Sequence, residues 1–277
     1  MTDDYHDDFD SVSKTMLTLF CHSRKDYELT YIKRIMKPKQ PTSPMIVGTV
    51  LHGVLLEGKK AEDFYQVYPE SVLSKNGAAS TKAAKEFAAN LPAGVKALKE
   101  KEAEGLDYAI KAVRHSLIAD VIEQATGLER AFYADLYGLP CRCKPDIYCD
   151  MGDRVTVWDL KFCDPSPGHF NRWAGNFYYD LQDSHYSAIL SQHFGKPVDF
   201  KFFAFEPEFP YKHNFYWYEP REREIAADFH RTKIAELRKC MATGNWKDNW
   251  PNAIRLPFSR GELMDFDAVD VGEAEVV

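Results

Sequence analysis

The chain has 277 residues, 45% of them hydrophobic, which is enough for a real core in one large domain or two smaller ones. Mean hydropathy is −0.43, and no run approaches the ~18 consecutive apolar residues of a spanning helix, so no membrane span is expected. The formal charge of −7 argues at first against a nucleic-acid partner, but the charge is unevenly placed.

Residues 1–10 carry Asp3, Asp4, Asp7, Asp8 and Asp10 and no Lys or Arg, and they lack the basic and apolar regions of a secretory signal. Residues 261–277 carry Glu262, Asp265, Asp267, Asp270, Glu273 and Glu275, again with no basic residue. Without these eleven acids the body holds 31 acids against 35 bases, a balance compatible with DNA. The expected organisation is one domain over 11–260 between two flexible acidic tails, in a soluble intracellular protein.

Residues 11–36 read as helix, with Ser11 or Ser13 as N-cap, and the two prolines of 37–44 mark a loop. In 46–58, Val47, Val50, Leu51, Val54 and Leu55 recur at helical spacing and predict a largely buried helix. Residues 71–95 read as irregular, and 96–126 as one or two helices with Gly127 as C-cap. Strand texture follows over 129–137, 141–149 and Val155–Phe162, with turns at Gly138-Leu139-Pro140 and 150–153, which predicts two consecutive hairpins. Residues 177–194 return to helix. Val198–Phe205 and 215–218 read as strands, and 221–243 as a charged helix closing near Gly244. The expected fold class is mixed α/β, a central mostly antiparallel or mixed sheet flanked by helices.

Six cysteines (Cys21, Cys141, Cys143, Cys149, Cys163 and Cys240) form no CxxC pair, so a zinc ribbon is not expected. Strand parity puts Cys141, Cys143 and Cys149 on one face as core thiols.

Two stretches carry chemistry, Lys144-Pro145-Asp146-Ile147 and Trp158-Asp159-Leu160-Lys161-Phe162. On the second, Val155, Val157, Asp159 and Lys161 share one strand face, and Thr156, Trp158, Leu160 and Phe162 the other. An isolated D-x-K would be an ordinary ion pair on a wet strand. On a strand this apolar, two charges need compensation. Asp146 lies thirteen residues before Asp159, so a hairpin brings the two carboxylates together. Two carboxylates and the Leu160 carbonyl suit Mg²⁺ or Mn²⁺, and Lys161 supplies positive charge for phosphodiester hydrolysis.

Pro145-Asp146 … Asp159-Leu160-Lys161 resembles the PD-(D/E)XK nuclease superfamily. Gly48-Thr49-Val50-Leu51-His52-Gly53 resembles the GxxxH helix of RecB-type and RecE-type exonucleases, and Gln182-Asp183-Ser184-His185-Tyr186 their QxxxY helix. The likeness extends from Val12-Ser13-Lys14 to Trp246 and is closest to RecE-type (exonuclease VIII, YqaJ-like) nuclease domains. It implies a restriction-endonuclease-like core. It implies His52 as a further metal ligand, Glu129 as an additional acidic one, and Gln182 and Tyr186 beside the scissile phosphate or the catalytic strand. It implies a cytoplasmic exodeoxyribonuclease, bacterial or phage-borne, that degrades linear duplex DNA from 5′ ends in recombination. Such enzymes form rings and hand single strands to an annealing protein.

Arg142 and Lys144 share the parity of Asp146, so they are expected to contact phosphate or to balance the carboxylates. Arg172, in the aromatic segment 168–179, is expected to touch DNA, with an aromatic packing plug or a subunit contact as the other reading of that segment. Relatives with an iron–sulfur cluster place three cysteines after the nuclease motifs. Here only Cys240 lies beyond the QxxxY stretch, so no cluster is expected. An endonuclease or single-strand-processing enzyme of the same fold, and a non-catalytic DNA-binding scaffold, are the alternative readings.

Overall fold

The computed structural model describes residues 5, 8–36, 43–92 and 94–248, so the acidic segment 261–277 lies outside the described residues. The chain opens with α1 (Lys14–His22) and α2 (Arg24–Tyr27), followed by a π-helical turn over Glu28–Ile32. The expected single helix over 11–36 is divided because Ser23 is extended (φ −157°) and its hydroxyl accepts from the Asp26 amide, which starts a new helix. Ser13 is the N-cap of α1.

Then come α3 (Ser43–Leu55), β1 (Tyr65–Val67), α4 (Lys82–Ala89), β2 (Lys96–Leu98), α5 (Glu100–Arg114) and α6 (Leu117–Glu123). The Thr81 hydroxyl caps α4, inside the stretch expected to be irregular. The strands β3 (Gly127–Leu128), β4 (Phe132–Leu136), β5 (Leu139–Cys143), β6 (Ile147–Asp150) and β7 (Val155–Phe162) follow. α7 (Pro167–Asn176) and α8 (Tyr179–Phe194) lead to β8 (Val198–Phe205), β9 (His213–Tyr216) and α9 (Pro220–Thr243), closed by Gly244 at φ 66°. No helix among the described residues is long and apolar enough to cross a membrane.

The main sheet has the order β3-β6-β7-β8-β9. β6 is antiparallel to β3 and β7, β8 runs parallel to β7, and β9 antiparallel to β8. The mixed α/β class is thus as expected, with the parallel pair bridged by α7 and α8. Both hairpins form, but in different sheets: β4 pairs β5 apart from the main sheet. Pro145 has no amide hydrogen to extend a ladder, and the run 141–149 breaks at Lys144-Pro145-Asp146. Cys149 is therefore not on the strand of Cys141 and Cys143. It joins the opposite core, although all three are buried thiols.

Alternation along β7 separates two cores. Val155 and Val157 pack with Leu181, Ile189 and Leu190 of α8 and Phe200 and Phe202 of β8. Leu160 packs on the other side with Leu51, Ala109, Val113, Ile118, Phe203 and Phe205. α8 touches β4, β5, β8 and α9 and is buried on nearly all sides, which is why Gln182, Asp183, Ser184 and His185 are all buried polar residues. Gly127 is no helix cap. It starts β3, where a Cβ would lie 2.4 Å from the Tyr148 ring.

Candidate active site

The β6–β7 hairpin pairs Ile147 with Trp158 and so brings Asp146 level with Asp159. The Asp146 carboxylate accepts the Leu160 amide at 2.6 Å, and Asp146 and Asp159 are 9% and 3% exposed. Lys161 is in direct ion-pair contact with Asp159. Gln182, reaching in from α8, joins the two: its amide N–H donates to Asp159 Oδ1 at 2.5 Å and its oxygen accepts from Lys161 Nζ at 3.2 Å.

His52 arrives from α3 on the opposite side of the sheet. Its Nε2 lies 3.3 Å from the Leu160 carbonyl oxygen, and its Nδ1 lies 3.3 Å from Glu129 and 3.7 Å from Asp146. Glu129 follows β3 in the left-handed region (φ 48°), and its amide donates to the Asp146 carbonyl at 3.0 Å. That bend, not a strand position, aims its carboxylate at the site. Ligand atoms of His52, Glu129 and Asp146 all fall within 4.8 Å of one another.

The family described as PDDEXK-like domain of unknown function (DUF3799) matches residues 11–252. The chain belongs to this family. The crystal structure of a "putative exonuclease" from Eubacterium rectale superposes on the PDDEXK-like domain with a TM-score of 0.62 at 11% identity, covering 94% of this chain and 96% of that one. The likeness is one of fold. No curated protein matches the chain.

The electrostatics of the PDDEXK-like site are those of crowded acids. Burial pushes the Asp146 carboxyl up; His52 opposes this, but the charges of Asp159 and Glu129 add to it, and the value reaches about 7. Burial disfavours charge on His52, yet Asp146 and Glu129 prevail and lift it to about 9. Both ring nitrogens face acceptors, as an imidazolium needs. For Glu129, burial is outweighed by His52 and Lys144, and its carboxyl stays below the usual range. Burial opposes the Lys161 charge as well, but the Asp159 carboxylate holds the ammonium firmly protonated.

These residues fit a divalent cation. Three carboxylates, an imidazole and a strand carbonyl converge. Asp159 Oδ2 is buried against the Lys161 ammonium, and the negative charge that lifts His52 and, with burial, Asp146 is what a cation would offset. His52, Glu129 and Asp146 would hold the ion beside the Leu160 carbonyl, with Asp159 on the Lys161 side. Hard oxygen donors suit Mg²⁺ or Mn²⁺.

The remaining expected residues are placed unequally. The Tyr186 hydroxyl donates to the Lys144 carbonyl at 3.5 Å, next to Asp146. Lys144 Nζ lies 3.0 Å from Glu129 and 4.0 Å from Glu57, so it balances carboxylates and does not face outward. Arg142 departs from expectation. It is 3% exposed, its guanidinium donates to the Ser11 carbonyl and hydroxyl, and it lies over the Tyr5 ring. Strand parity does not carry across the break at Pro145, because β5 belongs to the other sheet. Arg142 therefore ties the N-terminal segment to the fold and does not meet phosphate. Arg172 is exposed on α7, a helix that the sequence pattern does not announce.

Two residues near the reacting groups carry no mark in the sequence pattern. Lys161 Nζ sits 4.8 Å from the centre of the buried Tyr179 ring. Lys14 of α1 lies 5.7 Å from the same ring and donates to the Phe177 carbonyl at 2.7 Å. Burial first, and then the neighbouring Lys161 charge, lower the Lys14 ammonium to about 7. The sequence signal is that Lys14 stands in the Val12-Ser13-Lys14 opening that resembles the nuclease family and Tyr179 at the end of the aromatic segment 168–179.

Proposed function

We propose that this protein is a divalent-metal-dependent nuclease that hydrolyses phosphodiester bonds in DNA, acting as an exonuclease on linear duplex from 5′ ends. The convergence of Asp146, Asp159 and Lys161, with His52 and Glu129 beside them, is the observation that carries this reading. A bound divalent cation would supply positive charge against the phosphate as its charge grows. The chain's own residues do the rest. Asp159 holds Lys161 protonated, and the ammonium orients the attacking water and offsets charge in the transition state. Gln182 fixes Lys161 relative to Asp159, and Tyr186 braces the turn that carries Asp146.

Exposed Arg172 is assigned to the DNA backbone, so Arg172→Ala should flatten the salt dependence of duplex binding by about one phosphate contact. A ring-shaped assembly, a single-strand annealing partner and a place in recombination are extensions of the same proposal.

The test is digestion of end-labelled linear duplex and of closed circular duplex with Mg²⁺ or Mn²⁺. Wild type should shorten the linear DNA and spare the circle. Lys161→Ala should be slower by at least about 10²–10³-fold. Equal digestion by both proteins would overturn the role assigned to Lys161, and cutting of the circle would make the enzyme an endonuclease.

A further inference from the structure

Asp159 and Trp158 are neighbours on β7 with side chains on opposite faces of the sheet. Behind the acidic site, Trp158 opens into a cleft whose origin lies in how β9 ends. β9 pairs with β8 from His213 opposite Phe205 to Tyr216 opposite Phe202 and stops there. Glu219 caps α9 and Pro220 occupies its first turn, so the chain swings out of the sheet at Trp217. Among the described residues no strand then covers the outer edge of β8 at 198–201. A cavity of about 480 Å³ remains, lined by Trp158, Lys201, Phe215 and Trp217.

The lining is aromatic with one cation that lies over a ring and outside any ion pair among the described residues. Trp158 and Phe215 meet edge to face at 5.4 Å, and Lys201 Nζ lies 4.9 Å from the Trp158 ring centre. Trp217 is 59% exposed, yet its indole N–H donates to Glu219 at 3.1 Å, so the ring is presented in a fixed orientation. Of the other charges at the rim, Asp199 pairs with Arg154 at 3.2 Å and Arg223 with Asp183 at 2.9 Å, while Glu219 is held, among the described residues, only by hydrogen bonds. Lys201 makes no ion pair among the described residues.

We propose that this cleft binds single-stranded nucleic acid, with a base stacked on Trp217 and the adjoining phosphate at Lys201. Stacking on an ordered, exposed indole needs only the π-face that every base has, and an ammonium free of carboxylates suits a phosphate. An apolar peptide side chain in the same place would cover Lys201 without pairing it, at a desolvation cost. The inference deepens the nuclease reading and rests on it for its biological sense: trimming one strand of a duplex leaves the other single, and β7 joins the two sites.

The experiment measures binding of a fluorescein-labelled oligothymidylate by anisotropy in EDTA, so that no cleavage intervenes. Trp217→Ala should weaken binding about tenfold, and Lys201→Gln should lower the salt slope by about 0.7. Both variants should digest blunt duplex in Mg²⁺ at the wild-type rate, and both should keep the wild-type circular dichroism spectrum. Wild-type affinity and slope in both variants would overturn the proposal while leaving the nuclease reading intact. A wild-type protein that binds the oligonucleotide through Trp217 but never cleaves DNA would overturn the nuclease reading instead.

Discussion

At Glu129, two explanations of one carboxylate lead to different measurements. It lies 3.3 Å from His52 Nδ1 and 3.0 Å from Lys144 Nζ, so it is either a ligand of the cation or a counter-ion for the lysine. As a ligand, its neutral amide should bind Mn²⁺ more weakly by roughly 10–100-fold, a range typical of changes around a metal site, and titration calorimetry of Glu129→Gln reads this directly. A counter-ion alone would leave the affinity unchanged. The same variant removes one of the charges that lift His52. The imidazolium, which in the metal-free protein persists to about pH 9, should then lose its proton at lower pH, as an NMR titration would record.

Among the elements, β3 is short but positions that carboxylate. It contributes Gly127 and Leu128 against Tyr148 and Ile147, and the chain then bends so that Glu129 turns inward. The Tyr148 ring occupies the space that a side chain at 127 would need, 2.4 Å from the Cβ position. Gly127→Ala should therefore destabilise the fold by about 1–3 kcal/mol through overpacking, seen as a lower denaturation midpoint. Because β3 must move away from β6, Mn²⁺ affinity should fall as well, although residue 127 is no ligand. α8 is the second positioning element. It brings Gln182 to Asp159 and Lys161 because it is packed on almost every side; the helix expected over 177–194 forms, but no amphipathic pattern in the sequence tells that it is buried all round.

For the molecule as a whole, the buried His185–His230 pair joins α8, α9 and β5. The rings lie 3.1 Å apart between nitrogens, and His185 also reaches the Arg142 carbonyl at 3.1 Å. Burial lowers both, His185 to about 3 with His230 adding to the effect and His230 to about 4. Both are depressed bases, so the unfolded chain binds more protons below about pH 6.5. Their contribution to stability is complete above that pH and is lost as pH falls toward 4. The raised Asp146 works in the opposite direction between about 4 and 7, as do His52 above about 6.5 and the raised Asp183 carboxyl, so the share of the histidine pair is isolated by a variant. Thermal melting by calorimetry should show the midpoint dropping from pH 7 to pH 5. His230→Gln, which keeps a polar group between the elements, should make that drop shallower. An identical pH profile in the variant would remove the pair from the account of acid stability.

The nuclease motif is legible in the sequence because its logic is local. Alternation on β7 puts Asp159 and Lys161 on one face, a tight hairpin returns Asp146 to them, and both features follow from a strand period of two. Helical spacing likewise exposes the buried face around His52. The pairing of each charge is not legible. Arg142 is lost to the interior because one proline moves its strand to another sheet. Glu129 is won for the site by a left-handed residue after a two-residue strand, and α7 lies hidden in a run of aromatics. Sequence periodicity determines which face a side chain shares with its neighbours. Only the folded chain decides what stands across from that face, since those partners come from segments far apart in sequence.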